Sequence, residues 1–510
     1  MAEDRRFDSL VRVAVSPVSR RRDWWIVFAG MAVCLAIAMS IVGVVLERRE
    51  LVVNYMHAAH SIEMAFNWVY CGQFSRLYDD GLAHDILHKP QNHGRSLADL
   101  VRDRHGSIEH YCANRSVTIV REDSGLFYLH AFLLWMRPGL RINGLYTGLS
   151  VLMIAFLVFF ACAMLRVGLS PLVALGSLVF GIGIYGVETV HSYMSNHIFM
   201  WPPMFAFIGG LALVGYPVIK THPWRSAVVL FALGALAGMI VNLRYSYVVY
   251  VASLVGLYAL WLALGARTDH RTGSGLKSVV VAVAVLAVFG GFLVFDHVLI
   301  TPLRARNIAW GRLTHPVFHP LVLALSIPPN GLAKGEGIRW NDEVGMTLAK
   351  RITGGKVASY QQYEDALASY YFGLWKQKPT QMLAVHLRKA HVAGVANVRF
   401  LARVMGIGFV SPFTLCFSGY LILLLLLGYG THTFFNFMPA WSPFNHIIRG
   451  VVLIGLLSWV QSMLLVSTYS FFFPEFLFSV IILTIYFWEE VVRRMVRRRL
   501  SNLDVSKSSS

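Results

Sequence analysis

Two adjacent acids, Glu122 and Asp123, stand just before the apolar run Leu126-Phe127-Tyr128-Leu129. A carboxylate at such a boundary is partly desolvated, which raises its pKa toward the range in which it serves as a general base. The same acids would also suit the positive end of a helix dipole, with no chemical role. Earlier in the chain, His57 and Glu63 are the other candidate catalytic groups, whereas Asp79-Asp80-Gly81 reads more easily as a turn. Groups suited to holding a phosphate by charge-assisted hydrogen bonds are Arg244, His319, Arg388 and Lys389. Their plainer alternatives are an arginine snorkelling to the headgroups and a basic surface attracted to anionic lipid. His191, Tyr193 and Asn196 fall in a short polar turn between apolar runs. They would line a substrate cavity or anchor the interface. A base and phosphate-holding cations beside a bilayer are the parts needed for chemistry on a lipid-linked substrate.

Histidines crowd the same stretch, with His84 and His88 one helical turn apart, a spacing that can share a metal. No Cys pair or His-Glu-x-x-His signature accompanies them, and exposed loop histidines are the better reading. No metal is assigned. Were a divalent ion used, Glu63 or Asp123 with a histidine would be its ligands.

Membrane helices must position these groups. The chain has 510 residues, 56% hydrophobic and only 14% charged, against roughly 25% charged in globular proteins. Mean hydropathy is +0.57. The net charge of +18 sits in short clusters between apolar runs. That is how the positive-inside rule distributes lysine and arginine, so the charge reads as topology and not as a nucleic-acid surface. Arg20-Arg21-Arg22 leads into Trp24–Leu46, too long for a cleavable signal and without a small-residue cleavage site, so this run is expected to stay as an anchor. Further runs follow at Asn143–Leu165, Ser170–Val187, Ile198–Tyr216, Ala227–Val241, Tyr245–Leu264, Val279–Ile300, Gly406–Leu427, Gly450–Tyr469 and Phe471–Trp488. By length this predicts an all-α polytopic protein of about ten spans. An even number puts both termini in the cytoplasm, in keeping with Arg166, Lys220, Arg267, Arg449 and the tail Arg497-Arg498-Arg499.

The expected organisation is a basic tail (1–23), a membrane core (24–300) carrying an outer loop (47–141), a second outer segment (301–405), the last spans (406–488) and a basic tail (489–510). In the second segment Pro328-Pro329-Asn330-Gly331 and Gly354-Gly355 mark turns. Between Tyr360 and Ala390 apolar residues recur at helical spacing, predicting one or two amphipathic helices. Cys71 and Cys112, both in the first loop, would pair if that loop faces an oxidising compartment.

This layout resembles the GT-C glycosyltransferase superfamily, which includes protein O-mannosyltransferases and the transferases that add aminoarabinose to lipid A. Ser61-Ile62-Glu63-Met64-Ala65-Phe66-Asn67-Trp68, followed by Gly72-Gln73-Phe74, is similar to the family's first surface helix. Glu122-Asp123-Ser124-Gly125-Leu126-Phe127-Tyr128 is similar to its acidic segment before Pro-Pro-Leu-x-Tyr, with Ser124 and Gly125 in place of the prolines. Arg244 resembles a basic residue the family carries after a span. His315-Pro316-Val317-Phe318-His319 and Gly337-Ile338-Arg339-Trp340-Asn341-Asp342-Glu343 resemble a pattern in bacterial members. The family's catalytic aspartate would fall near His57, where this chain has no carboxylate. The resemblance implies a bacterial inner-membrane enzyme with periplasmic loops. It would move a sugar from a polyprenyl-phosphate carrier to a glycan, lipid or protein, with the carrier and membrane lipids as partners and no nucleic acid. The alternatives are a non-catalytic scaffold on the same frame, which His57 favours, and a lipid-linked sugar flippase. The long outer segments and absent internal repeat argue against a flippase.

Overall fold

The computed structural model describes residues 56–72, 82, 85, 86, 89–113, 124–191, 201–243, 247–267, 274–300, 317–404, 443–464, 475–489, 492 and 495. Its elements are helical, and the isolated backbone bridge between Ser96 and Arg141 is antiparallel. The first polar segment contributes α1 (Met56–Cys71), a 3-10 turn (Pro90–Gly94), α2 (Leu97–His105), α3 (Ile108–Ala113) and α4 (Ser124–Met136). Ser96 caps α2 by accepting from the Asp99 amide, and Gly106, at a φ of 76°, ends it with a backbone geometry that costs other residues energy.

The apolar bundle follows as α5 (Ile142–Arg166), α6 (Pro171–His191), α7 (Trp201–Leu213), α8 (Tyr216–Thr221), α9 (Pro223–Leu243), α10 (Val248–Arg267) and α11 (Ser274–Val294), the last continued by a π turn, Phe295–Ile300. Among the described residues, four helices are long and apolar enough to cross a membrane: Ile142–Arg166, Pro223–Leu243, Val248–Arg267 and Lys277–Val298. Shorter apolar helices run over Leu126–Met136, Pro171–Tyr185, Trp201–Leu213 and His446–Gln461. Of the expected spans, Trp24–Leu46 and Gly406–Leu427 lie outside the described residues. The run Ile198–Tyr216 is broken after α7 because Pro217 starts a new helix, α8, behind Gly215.

Helices α9 and α11 touch backbone to backbone. A Cβ at Gly234 would lie 1.9 Å from the Val288 carbonyl oxygen, and one at Gly291 would lie 1.9 Å from that of Phe231. Lipid tails are as apolar as leucine, so helix association in a bilayer relies on such close approach of small residues. On its outer side α11 exposes Val279, Val283, Leu286 and Phe289, the face a span turns to lipid.

The second polar segment has a small core of its own, in which Val322, Leu325, Leu332, Leu348, Leu367 and Met382 are buried. It is built from α12 (Phe318–Leu323), α13 (Gly331–Glu336), α14 (Asp342–Ile352), α15 (Tyr360–Gln377) and α16 (Pro379–Val404). The expected amphipathic stretch is thus two helices, separated at Lys378 and restarted by Pro379. Asn330, in the expected turn, caps α13 through the Ala333 amide. The chain returns to the bundle with α17 (Pro443–Leu464) and α18 (475–489).

Both polar segments abut the same end of the bundle. Tyr128 on α4 meets Phe295 at the end of α11, which packs on Gly238 near the end of α9. A short connection leads from α9 to Tyr247, which is bonded to Glu475 at the start of α18. Lys389 on α16 reaches Leu464 at the end of α17.

Candidate functional site

The first segment is organised on α1, whose sequence places Ser61, Glu63 and Asn67 among Ile62, Phe66 and Ala59 on faces that α3 and α4 cover. Glu63 and Asn67, four residues apart, share one face, and both are fully buried. Tyr111 on α3 donates to Asn67 Oδ1 at 3.1 Å. Ser61 Oγ lies 3.2 Å from His130 Nδ1 on α4, with His130 fully buried. Among the described residues the His130 Nε2 edge has no hydrogen-bond partner inside the α1–α4 contact. A buried, unsatisfied nitrogen costs about 1–3 kcal/mol and is a place to look for a missing ligand or proton. A disulfide between Cys71 and Cys112, with Cα atoms 5.4 Å apart, ties α1 to α3. Asp85 is buried beside Lys89 and Arg104, at 2.8 and 2.9 Å. Burial pushes its pKa up, but bonds and charges from these two cations prevail and hold it below the usual carboxylate range.

In the second segment His319 is clamped at both nitrogens. Tyr363 OH meets Nδ1 and Asp342 Oδ1 lies 3.1 Å from Nε2. The Glu364 carboxylate accepts the backbone amides of Val317, Phe318 and His319 at 2.7, 2.9 and 3.2 Å. It therefore fills the position at the start of α12 that an anion would take. On α16, His386 and Lys389 are buried one turn apart while Arg388 points to solvent. His386 stacks on Trp375 and meets Tyr371 OH at 3.1 Å. Lys389 Nζ donates to the Leu464 carbonyl at 3.1 Å, satisfying the end of α17 where the helix dipole is negative.

Burial pushes the Lys389 pKa down to about 7, and this sets a pH dependence. Below pH 7 folded and unfolded chains both hold the proton, and the folded chain bears the full cost of a buried charge. From about 7 up to the ordinary 10.5 the unfolded chain still binds the proton and the folded one has lost it, so stability rises with pH. Thermal unfolding of the detergent-solubilised protein should show this rise, and Lys389→Met should flatten it. An equal rise in the variant would assign the slope to other groups.

Near the same end, a further buried set went unread in the sequence. Tyr247 bonds to the fully buried Glu475, and Tyr250 donates to Gln461 Oε1 at 2.7 Å while its hydroxyl lies 3.2 Å from Ser458 Oγ. The signal was present: Glu475 is a lone acid in Phe-Phe-Phe-Pro-Glu-Phe, and carboxylates inside apolar stretches are held by partners.

Of the residues singled out from sequence, the structure buries Glu63, places His319 in a bonded cluster and sets Lys389 on a helix end. His57 lies in the first turn of α1 and His191 is the last residue of α6. Glu122, Asp123, Tyr193, Asn196 and Arg244 lie outside the described residues, with α4 beginning directly after Asp123. Among the described residues no three His, Cys, Asp or Glu side chains gather as a metal site. No protein-family model, no curated protein and no solved structure matches the chain.

Proposed function

We propose that the chain is a GT-C-type membrane glycosyltransferase of about ten spans with both termini cytoplasmic. It would take a sugar from a polyprenyl-phosphate carrier and pass it to a glycan, lipid or protein at the outer face of a bacterial inner membrane. The observation that supports this reading is that each polar segment packs on one end of the apolar bundle, Tyr128 against Phe295 and Lys389 against Leu464, and that each buries titratable groups, Glu63 and His130 in one and His386 and Lys389 in the other. The Cys71–Cys112 disulfide supports an oxidising side for that end.

The reaction is a direct inverting displacement. Glu122 or Asp123 takes the acceptor hydroxyl proton, and the oxygen attacks the anomeric carbon. The bond from that carbon to the phosphate oxygen breaks, and its electron pair leaves with the phosphate. Arg244 and Arg388 are the groups assigned to steady the phosphate, and His319 would join them only by releasing Tyr363 or Asp342. Lys389 would join them only by leaving the Leu464 carbonyl. His57, where the family's aspartate is expected, favours a second reading, a scaffold that binds carriers without turnover.

Mass spectrometry of envelope glycolipids from cells with and without the gene product separates the two. Loss of a sugar-bearing species and accumulation of its charged carrier are the expected result. Identical profiles would sink the transferase.

A further inference from the structure

A cavity of about 620 Å³ opens beside α2, lined by Tyr70, Arg95, Asp99, Arg102 and Arg141 together with Gly94, Ser96, Ala98, Pro138 and Gly139. It belongs to none of the clusters above. The volume is within the roughly 300–1,000 Å³ range of small-ligand sites. Its three guanidinium groups come from separate places in the chain. Arg95 precedes α2, Arg102 is in the last turn of α2, and Arg141 precedes α5. The Ser96–Arg141 bridge, with the Ile142 amide bonded to the Arg95 carbonyl at 3.2 Å, brings them together.

The charges are only partly spent. Arg95 bonds to Asp103, and Arg102 Nη1 to Asp99 Oδ1 at 3.1 Å. Each guanidinium has five N–H donors, so both keep others. These pairs are exposed, and exposed pairs are worth only about 0–1 kcal/mol, so an incoming anion can compete for the arginines. Arg141 is exposed, has no carboxylate partner among the described residues and makes no capping bond to α5. Three forked cations around one hollow suit a group with more than two acceptor oxygens, which a phosphate has and a carboxylate lacks.

The surroundings fix what carries that phosphate. Arg141 stands at the start of a 25-residue apolar span. Tyr70 OH bonds to the Pro138 carbonyl at the rim. Next to Pro138, the end of α4 leaves Phe132, Trp135 and Met136 51%, 72% and 64% exposed. An aromatic, apolar surface beside a cationic hollow at the mouth of a span is how a headgroup-level site is built. The geometry points to a binding site for the phosphate headgroup of an amphiphile, its apolar chain lying along Phe132, Trp135 and Met136. The cavity shares no residue with the groups assigned to sugar transfer, so binding there can fail without the transferase reading failing.

The test is calorimetric titration of the full-length protein in maltoside micelles with dodecyl phosphate, and separately with inorganic phosphate. Saturable binding of dodecyl phosphate is expected, weakened about tenfold or more by Arg141→Ala, the effect of one charge-assisted hydrogen bond. Gly94→Phe should weaken it as well. A Cβ at Gly94 meets nothing within 4 Å, so the ring has room to occupy the hollow. Arg137→Ala removes an exposed charge next to the cavity but outside its lining and should leave binding unchanged. Unfolding midpoints like that of the wild type confirm that each variant is folded. Equal weakening by Arg137→Ala would mean diffuse surface charge and overturn the site. Inorganic phosphate binding as tightly as dodecyl phosphate would overturn the amphiphile. Affinity untouched by Arg141→Ala would overturn both.

Discussion

Glu122→Gln with Asp123→Asn is expected to slow sugar transfer by about 10²–10⁴-fold, the contribution of a positioned general base. Amides keep the size and much of the hydrogen bonding of the acids but do not take a proton at neutral pH. α4 begins at Ser124, and the two acids directly precede it in the sequence, a position where Asn is as well accepted as Asp. Folding should therefore survive and turnover should not. Envelope glycolipids in cells carrying the double variant give the readout, with protein level in the membrane as the control. Glu63→Gln is the comparison arm. Glu63 is fully buried on α1, and a rate that falls with Glu63→Gln but holds with the pair of amides would move the base to that acid. Unchanged glycolipids in both variants, at normal protein level, would leave the transferase without a base.

Cys71→Ser or Cys112→Ser is expected to destabilise the first polar segment by about 4 kcal/mol, the loop-entropy value for a closed loop of this length; the cysteines are 41 residues apart. The bond fastens the end of α1 to α3. Without it, the Tyr111–Asn67 hydrogen bond and the contact of the Phe66 and Tyr111 rings are among the contacts left to hold the pair. One hydrogen bond supplies about 1 kcal/mol net and one aromatic pair about 0.5–1.5, so together they fall short of the bridge. Either serine variant should lower the unfolding midpoint of the purified protein. Reductant should do the same to the wild type and leave the variants unmoved. Maleimide labelling of denatured protein gives an independent check. Both cysteines reacting without prior reduction would show that the bridge does not form in the cell.

Much of the frame was legible because it depends on close neighbours in the chain. Apolar runs gave α5, α9, α10 and α11 nearly in place. Pro217 and Pro379 cut runs that hydrophobicity alone would have joined or left vague, and each opens a helix where its missing amide is not needed. Lys389 is instructive. Read as part of a basic surface with Arg388, it lies inside, because Met382, Val385, His386 and Lys389 follow one helical face and Arg388 does not. The spacing was in the sequence, but the residue type argued for solvent and outweighed it.

By itself, then, the sequence determined which segments leave water, where the helices start and stop, and which cysteines were free to pair. Those features follow from side-chain transfer energies and from hydrogen bonds a few residues long. The tertiary structure decided which polar groups meet: Ser61 with His130, Tyr247 with Glu475, and three arginines around one hollow. Such meetings depend on how helices far apart in the chain pack, and on close contacts like that of Gly234 with Val288. No local pattern encodes which face of one helix another will cover.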